Sequence, residues 1–344
     1  MQRWLMRYPV HLPDQQLSIV ISNARPLPQA LIERLESEVI HGDEILVIQN
    51  RPASAPRYWV GITSEAESAS TTAVTLCTAT PIPRSRAVIL LNGLDGAAAA
   101  RNLGWRMAKN DWVLFLDDDV MVDETFLDAV REHLSGKPMA EVVTFRVLSL
   151  PPRRWAPLFE ATISLDRGPG IRCTDGTSLR LQDVWMYGAG AAMACSRSIL
   201  KATGGFKDHF GAGRRNGGTE DTEFIWHASR HAAVEYCGDI RIHHESVSCF
   251  PDLSRKLREY GRAIGHLGGT TKNIEGYRYV SNYCRHIAAA MYRNDGLGLS
   301  RRSTDRVRMA IGMAAAESLR VYALSLLHGH PTDLLCQRCS GRPC

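Results

Sequence analysis

Short apolar runs alternate with helical patterns along the N-terminal part of the chain. Four runs have the length and composition of buried strands: LSIVIS (17–22), EILVIQ (44–49), AVILLN (87–92) and WVLFL (112–116). Helical patterns lie between them, among them PQALIERLESEV and the alanine-rich GAAAARNLGWRMAKN. Apolar strands separated by helices predict a parallel sheet that is covered on both faces. In open sheets of this kind, ligands bind at the carboxyl ends of the strands.

Changes in this pattern predict the domain boundaries. We expect an N-terminal extension over residues 1–15, an α/β domain over 16–250, a helical C-terminal region over 251–330 and a cysteine-containing tail over 331–344. In the C-terminal region, DLSRKLREYGRAIGHLGG and STDRVRMAIGMAAAESLRVYALSLLHG predict two helices joined by a polar segment.

Two segments of the α/β domain lack a regular pattern. Residues 51–85 are rich in Ser, Thr, Ala and Pro and predict an irregular connection. Residues 146–187 contain proline pairs and several aromatic residues. They predict an insertion over the carboxyl edge of the sheet, where a substrate could be held.

Composition narrows the functional classes. With 44% hydrophobic and 22% charged residues, the chain resembles soluble globular proteins. No uncharged apolar run approaches the roughly 20 residues that span a bilayer, and the sequence predicts neither a signal peptide nor a transmembrane helix. Nine scattered cysteines favour a reducing cytoplasm over a disulfide framework. For the cluster Cys336, Cys339 and Cys344, a frayed terminus is favoured over a zinc site, which needs four ligands.

Charge is distributed unevenly along the chain. From residue 250 onward there are 15 Lys and Arg against 7 Asp and Glu, whereas the first 249 residues hold 26 against 29. A basic C-terminal segment suits the anionic surface of a membrane or, as the less favoured partner, nucleic acid. A solvated helical face is, however, the commoner explanation of such a basic segment. The predicted location is the cytoplasm, including a peripheral position at the inner face of the membrane.

Three consecutive aspartates, Asp117, Asp118 and Asp119, follow the strand WVLFL. Adjacent carboxylates repel one another, so solvent or a cation must offset their charge. In an extended segment alternate side chains share a face, which predicts that Asp117 and Asp119 converge while Asp118 points away. Carboxylate and phosphate oxygens are the ligands that Mg²⁺ or Mn²⁺ prefers. The alternative is an acidic loop before a helix, with Asp123 as its N-cap.

Two further polar clusters come later in the chain. GGTEDTEF combines a pair of glycines with Glu220 and Asp221, which open a helical pattern. One of these acids is a candidate general base; alternatively, both only complement the helix dipole. The run YCGDIRIHHE ends in His243 and His244. Neighbouring strand residues point to opposite faces, so only one of these histidines can face a metal held by Asp119.

In this order, the motifs strongly resemble those of family-2 glycosyltransferases with the GT-A fold. The similarity spans residues 16–270 and is most specific in GAAAARNLGWRMAKNDWVLFLDDD and GGFKDHFGAGRRNGGTEDTEF. It implies an α/β fold of the GT-A (Rossmann-like) type, with a mostly parallel sheet flanked by helices and a helical C-terminal extension. It also implies transfer of a sugar from a nucleotide-sugar to an acceptor hydroxyl, with inversion and with Mn²⁺ or Mg²⁺. A UDP-sugar is the favoured donor, ahead of GDP- and dTDP-sugars.

The resemblance also implies roles for individual residues. Asp117 and Asp119 match the DXD pair, which meets the donor ribose and, through the metal, the diphosphate. His244 would be a further metal ligand. Asp221 matches the catalytic base, and Glu220 the neighbour that helps to hold the acceptor. Four more residues are assigned to the nucleotide side of the site: Gly96, Arg101, Ser22 and Asn50.

The sequence departs from the family pattern at two places. ISNAR, after the first strand, has Ile21 and Ala24 where the family usually has Pro and Asn. At the end of the second strand, Gln49 and Asn50 stand where an acidic residue usually reads the nucleobase. An amide both donates and accepts hydrogen bonds, so it can still pair with a base edge. These departures bear on the choice of nucleotide, whereas the metal and base motifs are intact.

Two other functions compete with this hypothesis. A nucleotidyltransferase shares the sheet and the metal-bound aspartates, but ISNARPLPQ lacks a glycine-rich phosphate loop. Only the altered ISNAR and IQN stretches support the second alternative, a non-catalytic sugar- or nucleotide-binding protein on a decayed enzyme scaffold. The acceptor stays open between a glycan, a lipid-linked compound and another hydroxyl compound. Arg214 and Arg215 could reach the diphosphate, since guanidinium groups suit phosphate oxygens, or they could lie in a solvated loop.

Overall fold

The structure, a computed structural model, describes residues 15–23, 28–50, 87–92, 96–136, 140–150, 165–175, 178–211, 214, 217–245, 247, 249–293 and 301–328. The predicted connection over 51–85 and the cysteine tail over 331–344 lie outside these residues, as does nearly all of the predicted N-terminal extension.

The described residues form nine strands, eight α-helices and one 3₁₀-helix. The strands are β1 (Leu17–Asn23), β2 (Glu44–Asn50), β3 (Ala87–Asn92), β4 (Trp112–Asp117), β5 (Val120–Val122), β6 (Val142–Ser149), β7 (Ile171–Cys173), β8 (Ala192–Ser196) and β9 (Val234–His244). The helices are α1 (Gln29–Glu36), α2 (Ala97–Met107), α3 (Phe126–Ser135), α4 (Arg197–Thr203), α5 (Glu220–Ala228), α6 (Phe250–Thr270), α7 (Ile274–Arg293) and α8 (Arg301–His328), and the 3₁₀-helix is Leu181–Tyr187.

All of these strands belong to a single sheet. Its order is β3-β2-β1-β4-β8-β6-β9-β5, with β7 paired to β9. The neighbours β3, β2, β1 and β4 are parallel, as are β6 and β9. β8 is antiparallel to β4 and β6, and β5 and β7 are antiparallel to β9. Six strands therefore run one way and three the other, which confirms the predicted mostly parallel α/β sheet.

Helices cover both faces of the sheet. On one face, α1 and α3 share a core with β1 through Leu35, Phe126 and Ile19. On the opposite face lie α2, α4 and α5, where Phe224 shares a core with Val20. Successive residues of a strand point to opposite sides, so both sets of β1 side chains are buried. Burial on both faces explains why these strands appear in the sequence as continuous apolar runs.

Helix α2 lies close to β1 because Gly104 faces Val20. A Cβ on Gly104 would lie 2.3 Å from Val20 Cγ1, so a larger residue would push the helix away from the sheet. Arg101 precedes Gly104 by about one helical turn. The close contact therefore also fixes the distance between Arg101 and the ends of the strands.

The C-terminal region contains three helices, not the two predicted. α7 lies within the stretch that the sequence analysis assigned to a polar connection. Its buried side chains, Val280, Ile287 and Ala290, are separated by seven and three residues and so share one helix face. Four tyrosines and three arginines are interspersed among these residues and conceal the apolar face in the sequence.

Small residues bring α6 and α8 into close contact. A Cβ on Gly261 would lie 2.3 Å from the carbonyl oxygen of Ala314, and one on Gly265 would lie 2.2 Å from that of Ser318. Among the described residues, the segment Ser303–Leu327 of α8 is long enough and apolar enough to cross a membrane. In its most apolar window, 33% of the residues are buried. The buried side of α8 is the one that faces α6.

Candidate active site

The triple-aspartate segment lies at the carboxyl end of β4. Asp117 is the last residue of β4, and Asp118 and Asp119 form a turn into β5. β5 runs back along β9, which sets Val120 opposite His244. Ligand atoms of Asp117, Asp119 and His244 all lie within 4.8 Å of one another. The predicted convergence is confirmed, but its predicted cause is wrong: a turn and strand pairing, not strand alternation, bring these groups together.

Burial and mutual charge shift the pKa values in this cluster. His244 Nε2 lies 3.2 Å from Asp119 Oδ1. Burial is the largest single effect and opposes protonation of His244, but the hydrogen bond to Asp119 and the charges of Asp119 and Asp117 together outweigh it and raise the pKa of the imidazole. Burial also raises the pKa of Asp117, with Arg101 opposing this and Asp119 adding to it. The three groups therefore form a partly buried cluster, in which a positive charge would offset the repulsion between the two carboxylates.

Arg101 of α2 joins this cluster to the second set of carboxylates. Its guanidinium donates to Asp117 Oδ1 at 2.7 Å and to Glu220 Oε1 at 2.8 Å. It also donates to the carbonyl oxygen of Gly190 at 3.3 Å. Burial disfavours the charged form, but Asp117, Glu220 and Asp221 outweigh it and raise the pKa of Arg101. Arg101 is thus a buried cation that ties together α2, β4 and α5.

We expect Arg101→Met to lower the free energy of unfolding by about 3–5 kcal/mol, because it leaves two largely buried carboxylates without their common partner. Arg106→Met is the matched control. It lies on the same helix, but its side chain is exposed over Trp105, and an exposed substitution typically changes stability by no more than about 0.5 kcal/mol. Urea unfolding of both variants measures the difference; equal losses would contradict the bridging role.

The GGTED segment forms a tight bend before α5. Gly217 and Thr219 have φ angles of 74° and 77°, in the left-handed region. A Cβ on Gly217 would lie 2.5 Å from the carbonyl oxygen of Glu259, so the bend is also pressed against α6. This backbone path starts α5 with Glu220 and Asp221 at the sheet edge.

The two acids of the bend have different surroundings. Glu220 is 6% exposed and bound to Arg101, and its burial raises its pKa. Asp221 is half-buried. It accepts hydrogen bonds from the backbone N–H of Gly190 at 2.6 Å and of Thr222 at 2.7 Å. A Cβ on Gly190 would lie 2.7 Å from Asp221 Cβ, so this approach requires a glycine. Asp221 is therefore held in a fixed orientation and is the more accessible of the two.

A third acid in the first turns of α5, Glu223, predicts a pH dependence. Burial raises its pKa from 4.5 to about 6, against the charges of Lys207 and Arg230. Because the folded-state value is the higher one, its stabilising contribution is complete below pH 4.5 and is lost as the pH rises through about 6. We expect Glu223→Gln to be more stable than the parent by about 1–2 kcal/mol at pH 7. The difference should vanish near pH 4, as urea unfolding at both pH values would show. Exposed Glu124→Gln is the control; an equal gain there would contradict the assignment.

Two tyrosines that the sequence analysis missed border the carboxylates. The Tyr260 ring of α6 lies beside the bend, with Cε1 3.9 Å from where a Cβ on Gly218 would be. Burial raises the pKa of Tyr260, and Asp221 adds most to this among the nearby charges. Burial and then Asp221 likewise raise the pKa of Tyr279 on α7. The C-terminal helices therefore complete the site, and no motif in the sequence indicates it.

The residues assigned to the nucleotide side lie along the same edge of the sheet. Ser22 Oγ donates to Asp117 Oδ1 at 3.4 Å. Gly96 immediately precedes α2 with a φ angle of 102°. Asn50 ends β2 opposite Asn92 of β3; its side chain is outside the described residues. Arg101, by contrast, lies beneath the carboxylates as their buried partner. Of the arginine pair, Arg214 is described and follows Gly211 in a turn, whereas Arg215 is not described.

Comparison with known protein families gives a match over part of the chain. Residues 75–203 match the sequence family described as glycosyl transferase family 2. No curated protein sequence matches the chain.

Two solved structures are similar in fold. One is S. aureus TarS 1–349 in complex with UDP-GlcNAc, at 12% identity over 92% of this chain and 93% of that chain, with a TM-score of 0.45. The other is the mannosyltransferase PcManGT of Pyrobaculum calidifontis in complex with GDP-Man and Mn²⁺, at 15% identity over 92% of this chain and 88% of that chain, with a TM-score of 0.49. Both TM-scores lie below 0.5, so neither similarity indicates a function for this chain.

Proposed function

We propose that this chain is a nucleotide-sugar-dependent glycosyltransferase of family 2 with a GT-A fold, that it transfers the sugar with inversion at the anomeric carbon and that it uses Asp221 as the general base. In an inverting reaction, the acceptor oxygen attacks from the face opposite the leaving diphosphate. A single displacement of this kind needs a base for the acceptor proton and stabilisation of the leaving group, but no covalent intermediate.

The observation that supports this most directly is the division of the acidic residues into two groups around Arg101. Asp117 and Asp119 lie with His244 in one group. Glu220 and Asp221 form the other, and Arg101 is bound to Asp117 and Glu220 at once. The first group suits the donor diphosphate and its cation, and the second suits the acceptor. Arg101 thus fixes the position of the donor-side carboxylates relative to the acceptor-side carboxylates.

The residues of the first group fit a divalent cation in number and chemistry. Carboxylate oxygens suit Mg²⁺ and Mn²⁺, and an imidazole adds a ligand typical of transition metals. Asp119 and His244 would hold the ion, with Asp117 shared between it and Arg101. A bound ion would supply positive charge beside the departing diphosphate.

Asp221 has the properties that the acceptor step requires. The acceptor hydroxyl gives its proton to a carboxylate oxygen of Asp221 while its own oxygen bonds to the anomeric carbon, and the bond from that carbon to the diphosphate breaks. The N–H groups of Gly190 and Thr222 fix the carboxylate during this transfer. Glu220 is bound to Arg101. It therefore helps to position the acceptor and does not accept the proton.

The side chains on either side of the carboxylates indicate the chemical class of the donor and of the acceptor. The ends of β2, β1 and β4 are neighbours, so Asn50 and Ser22 belong to the same edge of the sheet, which we assign to the nucleoside, with UDP favoured over GDP and dTDP. Tyr260 and Tyr279 suit the ring of a carbohydrate acceptor near Asp221, since aromatic rings pack well against apolar sugar faces. The acceptor is a glycan, a lipid-linked compound or another hydroxyl compound.

A donor screen tests the proposed function. The full chain is incubated with UDP-, GDP- and dTDP-sugars, with Mn²⁺, with Mg²⁺ or with a chelator, and release of the nucleoside diphosphate is measured. We expect slow, metal-dependent release from one nucleotide class, because water replaces the acceptor. Release that is equally fast with chelator, or none from any donor, would contradict the proposal.

A further inference from the structure

Helix α8 is apolar on its outward face as well as on its buried one. Its exposed residues recur every three or four positions, which places them in one row along the helix. The row consists of Arg306, Met309, Met313, Ala316, Arg320, Ala323 and Leu327. Met309 is 60% exposed and Leu327 is 74% exposed. At 1.5 Å per residue the row is roughly 30 Å long. We call it the α8 outer row.

Exposed apolar side chains are concentrated around this row. Of the 12 exposed large hydrophobic side chains among the described residues, seven lie on α7 or α8. A groove of about 310 Å³ runs between the two helices, and its lining includes Tyr277, Cys284, Arg285 and Leu319. Contiguous exposed apolar surface of this kind marks a site of interaction with a protein or a membrane.

The charges around the row identify the kind of partner. Arg278, Arg285, Arg306 and Arg308 are exposed on the same two helices, within a segment that has 15 basic and 7 acidic residues. Anionic lipid offers both an apolar layer and negative head groups, whereas a second copy of the chain would bring like charges together. Nucleic acid would satisfy the arginines but leave the apolar row in water.

We propose that the outward faces of α7 and α8 dock on an anionic lipid surface, with the α8 outer row at the boundary between head groups and acyl chains. α8 would lie along the surface, because spanning the bilayer would separate it from α6. The contacts of Gly261 and Gly265 with α8 oppose that separation, and α6 carries Tyr260 beside Asp221. Docking would therefore hold the acceptor side of the enzyme next to the membrane.

Vesicle sedimentation with the full chain tests this proposal. The probes are vesicles of phosphatidylcholine alone and of phosphatidylcholine with phosphatidylglycerol, over a salt series. We expect binding to the anionic vesicles only, weakened as salt screens the arginines over about 10 Å at 0.1 M. Met309→Glu combined with Met313→Glu should lower the partition coefficient at least about tenfold, because two side chains that enter the lipid become charged.

The matched control carries the same changes elsewhere. Met121→Glu combined with Met107→Glu alters side chains that are 58% and 39% exposed, against 60% and 40% for Met309 and Met313. We expect this variant to bind vesicles like the parent. Equal losses in the two variants, no binding to anionic vesicles, or binding to duplex DNA alone would overturn the proposal. So would self-association, measured by analytical ultracentrifugation, that the Met309 and Met313 changes abolish while vesicle binding persists. Thermal unfolding verifies that each variant is folded, and none of these readouts depends on catalysis.

Discussion

Asp221→Asn is expected to reduce turnover by about 10²–10⁴-fold, the usual contribution of general-base catalysis, while donor affinity stays nearly unchanged. Asparagine keeps the shape of the side chain, but its single amide oxygen can accept from only one of the N–H groups of Gly190 and Thr222, which bind different oxygens of Asp221. It cannot take the proton of the acceptor hydroxyl. The measurement is the turnover rate with the best donor from the screen, together with donor affinity by calorimetry.

Two control variants separate catalysis from helix stability. Glu223→Gln removes another acid from the first turns of α5 without altering the site, and we expect its turnover to equal that of the parent. If Asp221 only complemented the helix dipole, its substitution would cost about 0.3–1 kcal/mol of stability and turnover per folded molecule would survive. Glu220→Gln weakens the partner of Arg101 and should cause a milder loss than Asp221→Asn. If Asp221→Asn were active and Glu220→Gln inactive, the general base would be Glu220 and not Asp221.

Asp119→Asn is expected to abolish transfer and to remove the metal-dependent part of donor binding. A neutral amide is a poor ligand for a hard dication, and Asp119 also holds His244, so two ligands of the cluster are affected. We expect the affinity for the donor in the presence of Mn²⁺ to fall at least about 100-fold, the upper range for loss of a supporting group at a metal site. Calorimetric titration of donor with and without Mn²⁺ measures this.

Asp118→Asn is the matched control for the metal site. It makes the same chemical change one residue away, in the same turn. Because Asp118 is not among the groups that converge with His244, we expect its donor affinity and metal dependence to stay close to those of the parent. Equal losses in the two variants would show that the net charge of the turn, and not a specific ligand, governs donor binding.

The sequence predicted the first four strands closely because burial on both faces leaves a continuous apolar run. The predicted run 87–92 has the observed bounds, and the other three fall one residue short at their carboxyl ends. That missing residue is polar in each case, Asn23, Asn50 or Asp117. Strand direction is not encoded in the same way: β8 is a buried apolar strand like β4 and β6, yet it runs antiparallel to both.

Within the site, the sequence predicted the acidic residues but not the contacts that fix their positions. Asp119 and Asp221 were predicted because each belongs to a short motif. The ion pair between Arg101 and Glu220 joins residues 119 positions apart, and no local pattern encodes such a contact. Tyr260 was missed for the same reason, since it stands in an ordinary amphipathic helix and reaches the site only through the packing of α6 on the GGTED bend.

The stereochemistry of donor hydrolysis tests the central claim most directly. An α-linked UDP-sugar, or the donor class that the screen identifies, is incubated with enzyme and Mn²⁺, and the anomeric signals of the released sugar are followed by proton NMR before mutarotation. Attack of water from the face opposite the diphosphate, with Asp221 as the base, predicts that the β-anomer appears first and that its formation stops when the metal is chelated. Initial appearance of the α-anomer would contradict the account.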